Sequence, residues 1–162
     1  MRKQFAVIFY ALMAMHMAMA GNNICDMPGQ DENVQIPSPF KDCNSLKEAE
    51  DIAGFVIEVP GDIEGYDNPV ISAIKDDLIQ IMYYNGDESI IIRKGTGSSD
   101  ISGDYNIYEE NKIIRLDGTD VSVKGNKGKA CCAIWNVNGY SYSVSAPGIS
   151  LDEMKKIIKA VK

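Results

Sequence analysis

The sequence predicts an α+β fold, in which an antiparallel meander sheet of about seven or eight strands carries one helix at its N-terminal end and one at its C-terminal end. Two helix-start motifs indicate the helices: Ser45-Leu46-Lys47-Glu48 and Ser150-Leu151-Asp152-Glu153. In such a capping box the serine oxygen and the later glutamate each accept a hydrogen bond from an otherwise free backbone N–H group. Between the two motifs lies a series of β-rich runs separated by turn residues, which indicates the sheet.

The first helix is expected to start at Ser45 and to end at Gly54, with an apolar stripe between them. Asn85-Gly86 separates two β-rich runs and is the strongest of the hairpin signals, because both residues tolerate positive φ. Strands adjacent in sequence are therefore expected to be antiparallel neighbours. The predicted strands are residues 55–59, 70–75, 78–84, 88–94, 112–116, 119–124, 129–137 and 140–145.

The last hairpin carries a clear alternation. Tyrosine and valine occupy positions 140, 142 and 144, and serine occupies positions 141, 143 and 145. This period of two is typical of a sheet with one packed face and one face in water. The terminal helix that follows has an apolar stripe of Met154, Ile157, Ile158 and Val161, so we expect it to pack on the sheet.

Residues 1–20 are interpreted as a cleaved secretory signal. Arg2 and Lys3 precede an apolar stretch that is too short to span a membrane comfortably, and Ala18-Met19-Ala20 offers the small residues that signal peptidase needs. Residues 21–40 are rich in proline and polar residues and are expected to form a flexible lead-in. Residues 41–162 are then a single α+β domain, placed outside the cytoplasm as a secreted or cell-envelope protein.

Charge and histidine content exclude several classes of function. The formal net charge is −7 at pH 7, and removal of the two basic signal residues makes the rest more acidic, so nucleic acid is not an expected partner. The only histidine, His16, lies inside the signal. The mature chain therefore lacks the base of a Ser-His-Asp or Cys-His nucleophile pair. We expect no enzyme activity, no cofactor and no membrane span after cleavage.

Four cysteines remain in the mature chain: Cys25, Cys43, Cys131 and Cys132. In an oxidising compartment they are disulfide candidates, and three complete pairings are possible. A Cys131–Cys132 bond would close a strained ring, which favours Cys25 or Cys43 bonded to one of the two. The spacings contain no Cys-x-x-Cys pair, so no metal site is predicted.

Other polar motifs are interpreted as loops and solvated turns. Residues 95–99 lack the Gly-Lys-Ser/Thr ending of a phosphate-binding loop, and the acidic clusters do not follow a calcium-loop pattern. Glu109 and Glu110 are neighbours on an extended chain and would point to opposite faces, so they do not form a glycosidase pair. No catalytic residue is predicted.

The aromatic residues are the best candidates for a ligand-binding site, since tyrosine and tryptophan combine a large rigid surface with a polar group. Core packing is the stronger interpretation for Trp135 and for one tyrosine face of the last hairpin. Tyr105 and Tyr108 follow the Gly/Ser-rich loop and are expected to be exposed. The candidate ligand-binding residues are Tyr105, Tyr108, Trp135, Tyr140 and Tyr142.

Several runs resemble an uncharacterised exported domain family of clostridia and related bacteria. They include Asp100-Ile101-Ser102-Gly103-Asp104-Tyr105, Ala133-Ile134-Trp135 and Gly139-Tyr140-Ser141-Tyr142-Ser143. Members are often the extracellular part of proteins that look like anti-sigma factors. The resemblance covers residues 37–161 and implies an α+β arrangement akin to the lipoprotein carriers and periplasmic sensors, without established catalytic residues.

The resulting expectation is an exported, non-enzymatic binding or sensing domain of the bacterial cell envelope. Its partner is an unknown protein, peptide, glycan or lipid. Alternatives are a carrier of a hydrophobic ligand and a carboxylate-dependent hydrolase, which needs two inward-facing acids in one cleft. We expect no cytoplasmic portion of the kind that the resemblance implies for signalling, so transmembrane signalling is not the expected role.

Overall fold

A computed structural model describes residues 38–162. The predicted signal (residues 1–20) and nearly all of the predicted lead-in (residues 21–40) lie outside the described residues. The predicted class is confirmed, because eight antiparallel strands form one sheet with a helix near each end of the domain. In chain order the elements are β1 Lys41–Cys43, α1 Leu46–Ala53, β2 Val70–Ile74, β3 Leu78–Asn85, β4 Glu88–Thr96, β5 Glu110–Leu116, β6 Thr119–Asn126, β7 Lys129–Val137, β8 Tyr140–Ile149 and α2 Leu151–Ala160.

The order of the strands departs from one continuous meander. It is β1-β2-β3-β4-β8-β7-β6-β5, so two four-stranded meanders meet where β4 pairs with β8. Neighbours in sequence are antiparallel neighbours in space, as predicted, except for β4 and β5. Pairing of the last strand with the fourth leaves β1 and β5 as the two edges of the sheet.

The predicted strand at residues 55–59 is wrong. Ile57 is buried, its N–H group donates to a side-chain oxygen of Glu50 on α1, and Glu58 exchanges two backbone hydrogen bonds with Lys162. The segment is therefore held by the two helical ends of the domain and does not join the sheet. The short strand β1, which the sequence analysis missed, takes the edge position beside β2.

The helix-start motifs work largely as predicted. Ser150 forms both halves of a capping box with Glu153. Ser45 accepts from the N–H group of Glu48. The carboxylate of Glu48, however, accepts from the backbone N–H group of Asn44, one residue before the predicted box. Gly54 ends α1 with φ of 81°, a conformation that suits glycine. No helix in residues 38–162 is long and apolar enough to cross a membrane.

Both helices pack on one face of the sheet, which we call the helical face. Strand register places alternate residues of β3, β4, β8, β7 and β6 on this face, and they form the buried apolar core together with α1 and α2. Buried apolar area is the main stabilising contribution to such a layer. Core residues of this face include Ile79, Ile81, Tyr83, Ile90, Ile92, Val121, Val123, Trp135, Tyr142, Val144, Met154 and Ile158.

The opposite face is crossed by the connection between β4 and β5, residues 97–109, which we call the strap. Successive antiparallel pairings make β4 and β5 run in the same direction, with β8, β7 and β6 between them. The chain must therefore pass over these three strands and return to the other end of the sheet. We call the face beneath it the strap face.

The prediction of a wet serine face on the last hairpin is wrong. Ser141 and Ser143 are fully buried, because the strap covers them. The hydroxyl of Ser141 lies 2.7 Å from the carbonyl oxygen of Ser99 in the strap. The alternation itself is real, but both faces of β8 are packed, one by apolar side chains and one by a polar connection.

Candidate functional site

The strap is anchored to the sheet by Arg93 of β4. Its Nη1 donates to the carbonyl oxygens of Ile101 and Ser102, at 3.0 and 2.7 Å, and its Nε donates to Gln80 at 2.8 Å. The guanidinium can make these bonds together because its donors form a planar fork. Gly103 lies directly over it with φ of 63°, and an added Cβ would overlap Nη1. The close approach therefore requires glycine at this position.

Local hydrogen bonds shape the strap from within. The N–H and hydroxyl groups of Ser102 donate to Asp100, at 2.9 and 2.6 Å. The N–H of Asp104 donates to Ser102 at 3.2 Å, and that of Asn106 donates to Asp104 at 3.0 Å. Each side chain thus accepts from the backbone two residues later, a turn-forming pattern of Asp and Ser. The Asp-x-Ser-x-Asp run encodes a fixed conformation.

Tyr105 and Tyr108, predicted to be exposed, have different positions in the strap. Tyr105 is 96% exposed, and so is Ile107 two residues later. Tyr108 is half-buried, and its hydroxyl donates to the carboxylate of Asp104. Tyr105 is therefore available for contact with a partner, whereas Tyr108 helps to hold the strap.

Ionisation in the strap follows this hydrogen bonding. Partial burial opposes the charge on Asp100 and Asp104, but hydrogen bonds from Ser102 and Tyr108 and the charge of Lys124 more than offset it and lower the pKa of both carboxyls. Burial, together with Asp104, raises the pKa of Tyr108. A general acid that works near neutral pH needs a raised carboxyl pKa. These two carboxylates act as fixed acceptors.

The other aromatic candidates lie on the helical face and do not form one site with the strap. Trp135 and Tyr142 stack at 5.3 Å between ring centroids, and both are buried. Tyr140 packs against Phe55, with centroids 5.1 Å apart. The core interpretation of Trp135 thus agrees with its burial, and the sheet separates these three residues from Tyr105 and Tyr108.

Lys94 is a residue that the sequence analysis did not single out. It is 6% exposed, its Nζ lies 4.7 Å from the ring centroid of Tyr140 and 5.0 Å from that of Tyr142, and it donates to the carbonyl oxygen of Val56 at 2.7 Å. A buried ammonium group is stabilised by ring faces and by such an acceptor. Lys94 therefore holds the segment after α1 against the aromatic side of the sheet. The sequence did not indicate this role, because Lys94 only ends a β-rich run there.

The three described cysteines are free thiols: Cys43, Cys131 and Cys132. Cys43 lies on edge strand β1, five strands away from β7 in the sheet order. Adjacent strands are about 4.8 Å apart, so five strand spacings are far beyond the reach of a disulfide. The expected pairing of Cys43 with Cys131 or Cys132 is therefore not formed in this fold. Cys25 lies outside the described residues. Burial beneath the strap raises the pKa of the Cys132 thiol.

Two open clefts flank α2 on the helical face. The first, about 340 Å³, is lined by Trp135, Tyr142 and the C-terminal end of α2, and we call it the Trp135 cleft. The second, about 480 Å³, lies between α2 and residues 60–66, and we call it the loop cleft. Both volumes are within the range of small-molecule sites. No group of three or more possible metal ligands occurs among residues 38–162.

The fold and these surfaces define a small α+β domain built on one antiparallel sheet, with an apolar helical face and a polar strap face. A family model described as a domain of unknown function (DUF4367) matches residues 58–161. The chain belongs to this family. No curated protein and no solved structure matches it.

Proposed function

We propose that the protein is an exported, non-enzymatic domain that binds a protein partner in the cell envelope through the strap. The observation that carries this proposal is the pair Tyr105 and Ile107, which are 96% exposed although the strap around them is fixed by hydrogen bonds. Large apolar side chains exposed on a backbone that hydrogen bonds already fix are typical of contact sites, because little backbone entropy is lost when a partner covers them.

The surroundings of this pair also favour a protein partner. The strap runs into edge strand β5, where Ile113 is 74% exposed on the strap face. Edge strand β5 has an unpaired row of backbone groups, to which an extended segment of a partner can add. Signal-like residues 1–20 support export, and the acidic composition disfavours nucleic acid.

Site-specific photo-crosslinking tests this function in cells that make the protein. A photoreactive residue at position 105 or 107 is expected to give a discrete adduct in the envelope or medium fraction, with the crosslinked chain beginning at Gly21. Tyr105→Ser with Ile107→Ser should abolish complex formation while changing stability by less than about 0.5 kcal/mol.

Val56 provides the matched control, because its side chain is exposed but lies outside the strap, in the segment that packs at the helical face. A photoreactive residue at position 56 should not give the adduct. Equal adducts at positions 56 and 105, or an intact complex after both serine substitutions, would contradict the proposal. Tyr108 is a poor probe here, because its hydroxyl supports the strap itself.

A second candidate function is the binding of a small hydrophobic molecule, as in a carrier. The two clefts beside α2 favour it, since each combines apolar lining with an opening to solvent. The carboxylate-dependent hydrolase finds less support. Among residues 38–162 the carboxyl groups that have a shifted pKa are Glu48, Asp100, Asp104 and Glu153, and the pKa of each is lowered.

A further inference from the structure

Residues 60–66 form one wall of the loop cleft, and hydrogen bonds to the sheet hold this wall in place. The hydroxyl of Tyr83 donates to the carbonyl oxygen of Pro60 at one end of the wall. At the other end the N–H group of Asp67 donates to the carbonyl oxygen of Tyr84 at 2.7 Å, and the turn between is closed by Tyr66 and Ile63. A cleft fixed at both ends needs little reorganisation to accept a ligand.

The lining of this cleft combines an apolar floor with an acidic rim. Ile90 of β4, Ile149 of β8 and Ile157 of α2 contribute to the floor, and Ile63 stands on the wall. The rim is formed by three carboxylates and one ammonium group: Asp62, Glu64, Glu153 and Lys156.

Tyr66 adds an aromatic ring to the acidic side of the cleft. Partial burial, with Glu88 and Glu153 nearby, raises the pKa of its hydroxyl, so the ring lies in a negative environment and stays neutral. A neutral ring beside carboxylates is the combination that attracts organic cations.

The Trp135 cleft, on the other side of α2, has the opposite balance of charge. Its charged lining residues are Asp117, Lys159 and Lys162. It is smaller and its floor is aromatic, from Trp135 and Tyr142. The helix thus separates an acidic cleft from one with more basic side chains. Two ligands with the same alkyl chain but opposite charges on the head group can therefore distinguish the two clefts.

We propose that the loop cleft binds a small amphiphile made of an alkyl chain and a cationic ammonium head. This proposal deepens the second candidate function, the binding of a hydrophobic molecule, and rests on it. The alkyl chain lies along the isoleucine floor, where Ile149, together with Ile63 on the wall, keeps the apolar surface whose burial supplies the attraction. The head lies between Tyr66 and the rim carboxylates, which repel an anionic head of the same size.

Two probes with the same chain test the proposal: decyltrimethylammonium and decyl sulfate, each below its micelle concentration, added to the full chain with isotope-labelled isoleucine methyl groups. Decyltrimethylammonium is expected to shift the methyl signals of Ile63, Ile149 and Ile157 and to bind about tenfold more tightly than decyl sulfate. The fluorescence of Trp135, the only tryptophan of the chain, should stay unchanged, since it reports on the other cleft.

Single substitutions that each remove one negative charge locate the cationic head group of the ligand. Asp62→Asn and Glu64→Gln should each weaken binding of the cationic probe about threefold, as expected for exposed charges. Asp117→Asn, the matched control in the Trp135 cleft, should leave binding unchanged. Glu153 is not suitable, because its carboxylate caps α2 and its loss would disturb the helix.

The possible results distinguish the preference for a cationic head group from the binding of a hydrophobic molecule. Equal affinity for both probes at the isoleucine floor would overturn the cationic head while leaving a hydrophobic site. A response at Trp135 without shifts at Ile63, Ile149 and Ile157 would overturn the choice of cleft. Absence of binding of either probe would overturn both the proposal and the second candidate function.

Discussion

The two faces of the sheet are packed by different means. The helical face is filled by apolar side chains from strands and helices, and Lys94 is its one buried charged side chain among residues 38–162. The strap face buries polar side chains, including Gln80, Ser141 and Ser143, and the strap that crosses this face contains neither helix nor strand. Within the described residues every buried side-chain nitrogen or oxygen has a hydrogen-bond partner.

This difference has a physical consequence for stability and for binding. Apolar burial contributes in proportion to the area removed from water, whereas a satisfied hydrogen bond contributes only about 0.5–1.5 kcal/mol net. The helical face should therefore provide most of the free energy of unfolding. The strap should open at lower cost than the core, although hydrogen bonds fix its conformation in the folded state.

The largest effect is expected from truncation of a side chain on the helical face. Ile81 of β3 is fully buried, so Ile81→Ala should reduce the free energy of unfolding by about 2–5 kcal/mol. Ile81→Val, the conservative control, should cost about 0.5–1.5 kcal/mol. Urea denaturation measures both. A loss below about 1 kcal/mol for Ile81→Ala would show that this face does not dominate stability.

A smaller and more local effect is expected from Arg93, which joins β3 and β4 of the first meander to the strap. Arg93→Met removes three hydrogen bonds but keeps much of the apolar stem, and it should cost about 2 kcal/mol while increasing amide exchange in residues 97–109.

Arg93→Lys is the control, because lysine keeps the charge but loses the fork that reaches Gln80 and the strap together. It should recover part of the stability and little of the strap protection. Uniform acceleration of exchange over the whole domain in Arg93→Met would contradict a separate, weaker strap.

The comparison of faces also shows which parts of this fold the sequence can predict. Local signals were mostly reliable. The hairpin between β3 and β4 forms as Asn85-Gly86 predicted, although Asn85 ends β3 and the two turn residues are Gly86 and Asp87. Ser150 caps α2 together with Glu153. Pairing of β4 with β8 was not predictable, because it joins segments far apart in sequence and no turn motif encodes it. Without that pairing, the need for a strap cannot be inferred.

The errors at the site have the same origin. Alternation in β8 predicted a face in water, but alternation reports only which residues share a face, and the strap that covers Ser141 comes from elsewhere in the chain. The run at residues 55–59 has high β-propensity, yet contacts with Glu50 and Lys162 keep it out of the sheet. Spacing of the Asp-x-Ser-x-Asp run could have indicated a self-bonded turn.

The smallest effect concerns the pH dependence of the strap through Asp104 and Tyr108. The folded state lowers the pKa of Asp104, so this carboxylate contributes stability above its unfolded pKa and loses it as pH falls through the folded value. Tyr108→Phe should cost about 1 kcal/mol near neutral pH, seen as an approximately fivefold drop in amide protection of residues 97–109. As the pH falls through the folded pKa of Asp104, the difference between the two proteins should shrink.

Core amides of β3 and β4 are the internal reference, because the hydroxyl of Tyr108 donates within the strap and the protection of core amides follows global unfolding. Glu153 also has a lowered pKa, so acid weakens the cap of α2 in both proteins equally and cancels in the comparison. The folded state raises the pKa of Tyr108, so its own contribution is present at neutral pH and is lost only as pH rises above about 10. If wild type and the Phe variant differ by the same factor at pH 3 and pH 7, the Asp104–Tyr108 bond does not hold the strap. The strap would then depend on its other bonds to the sheet, those of Arg93 and Ser141.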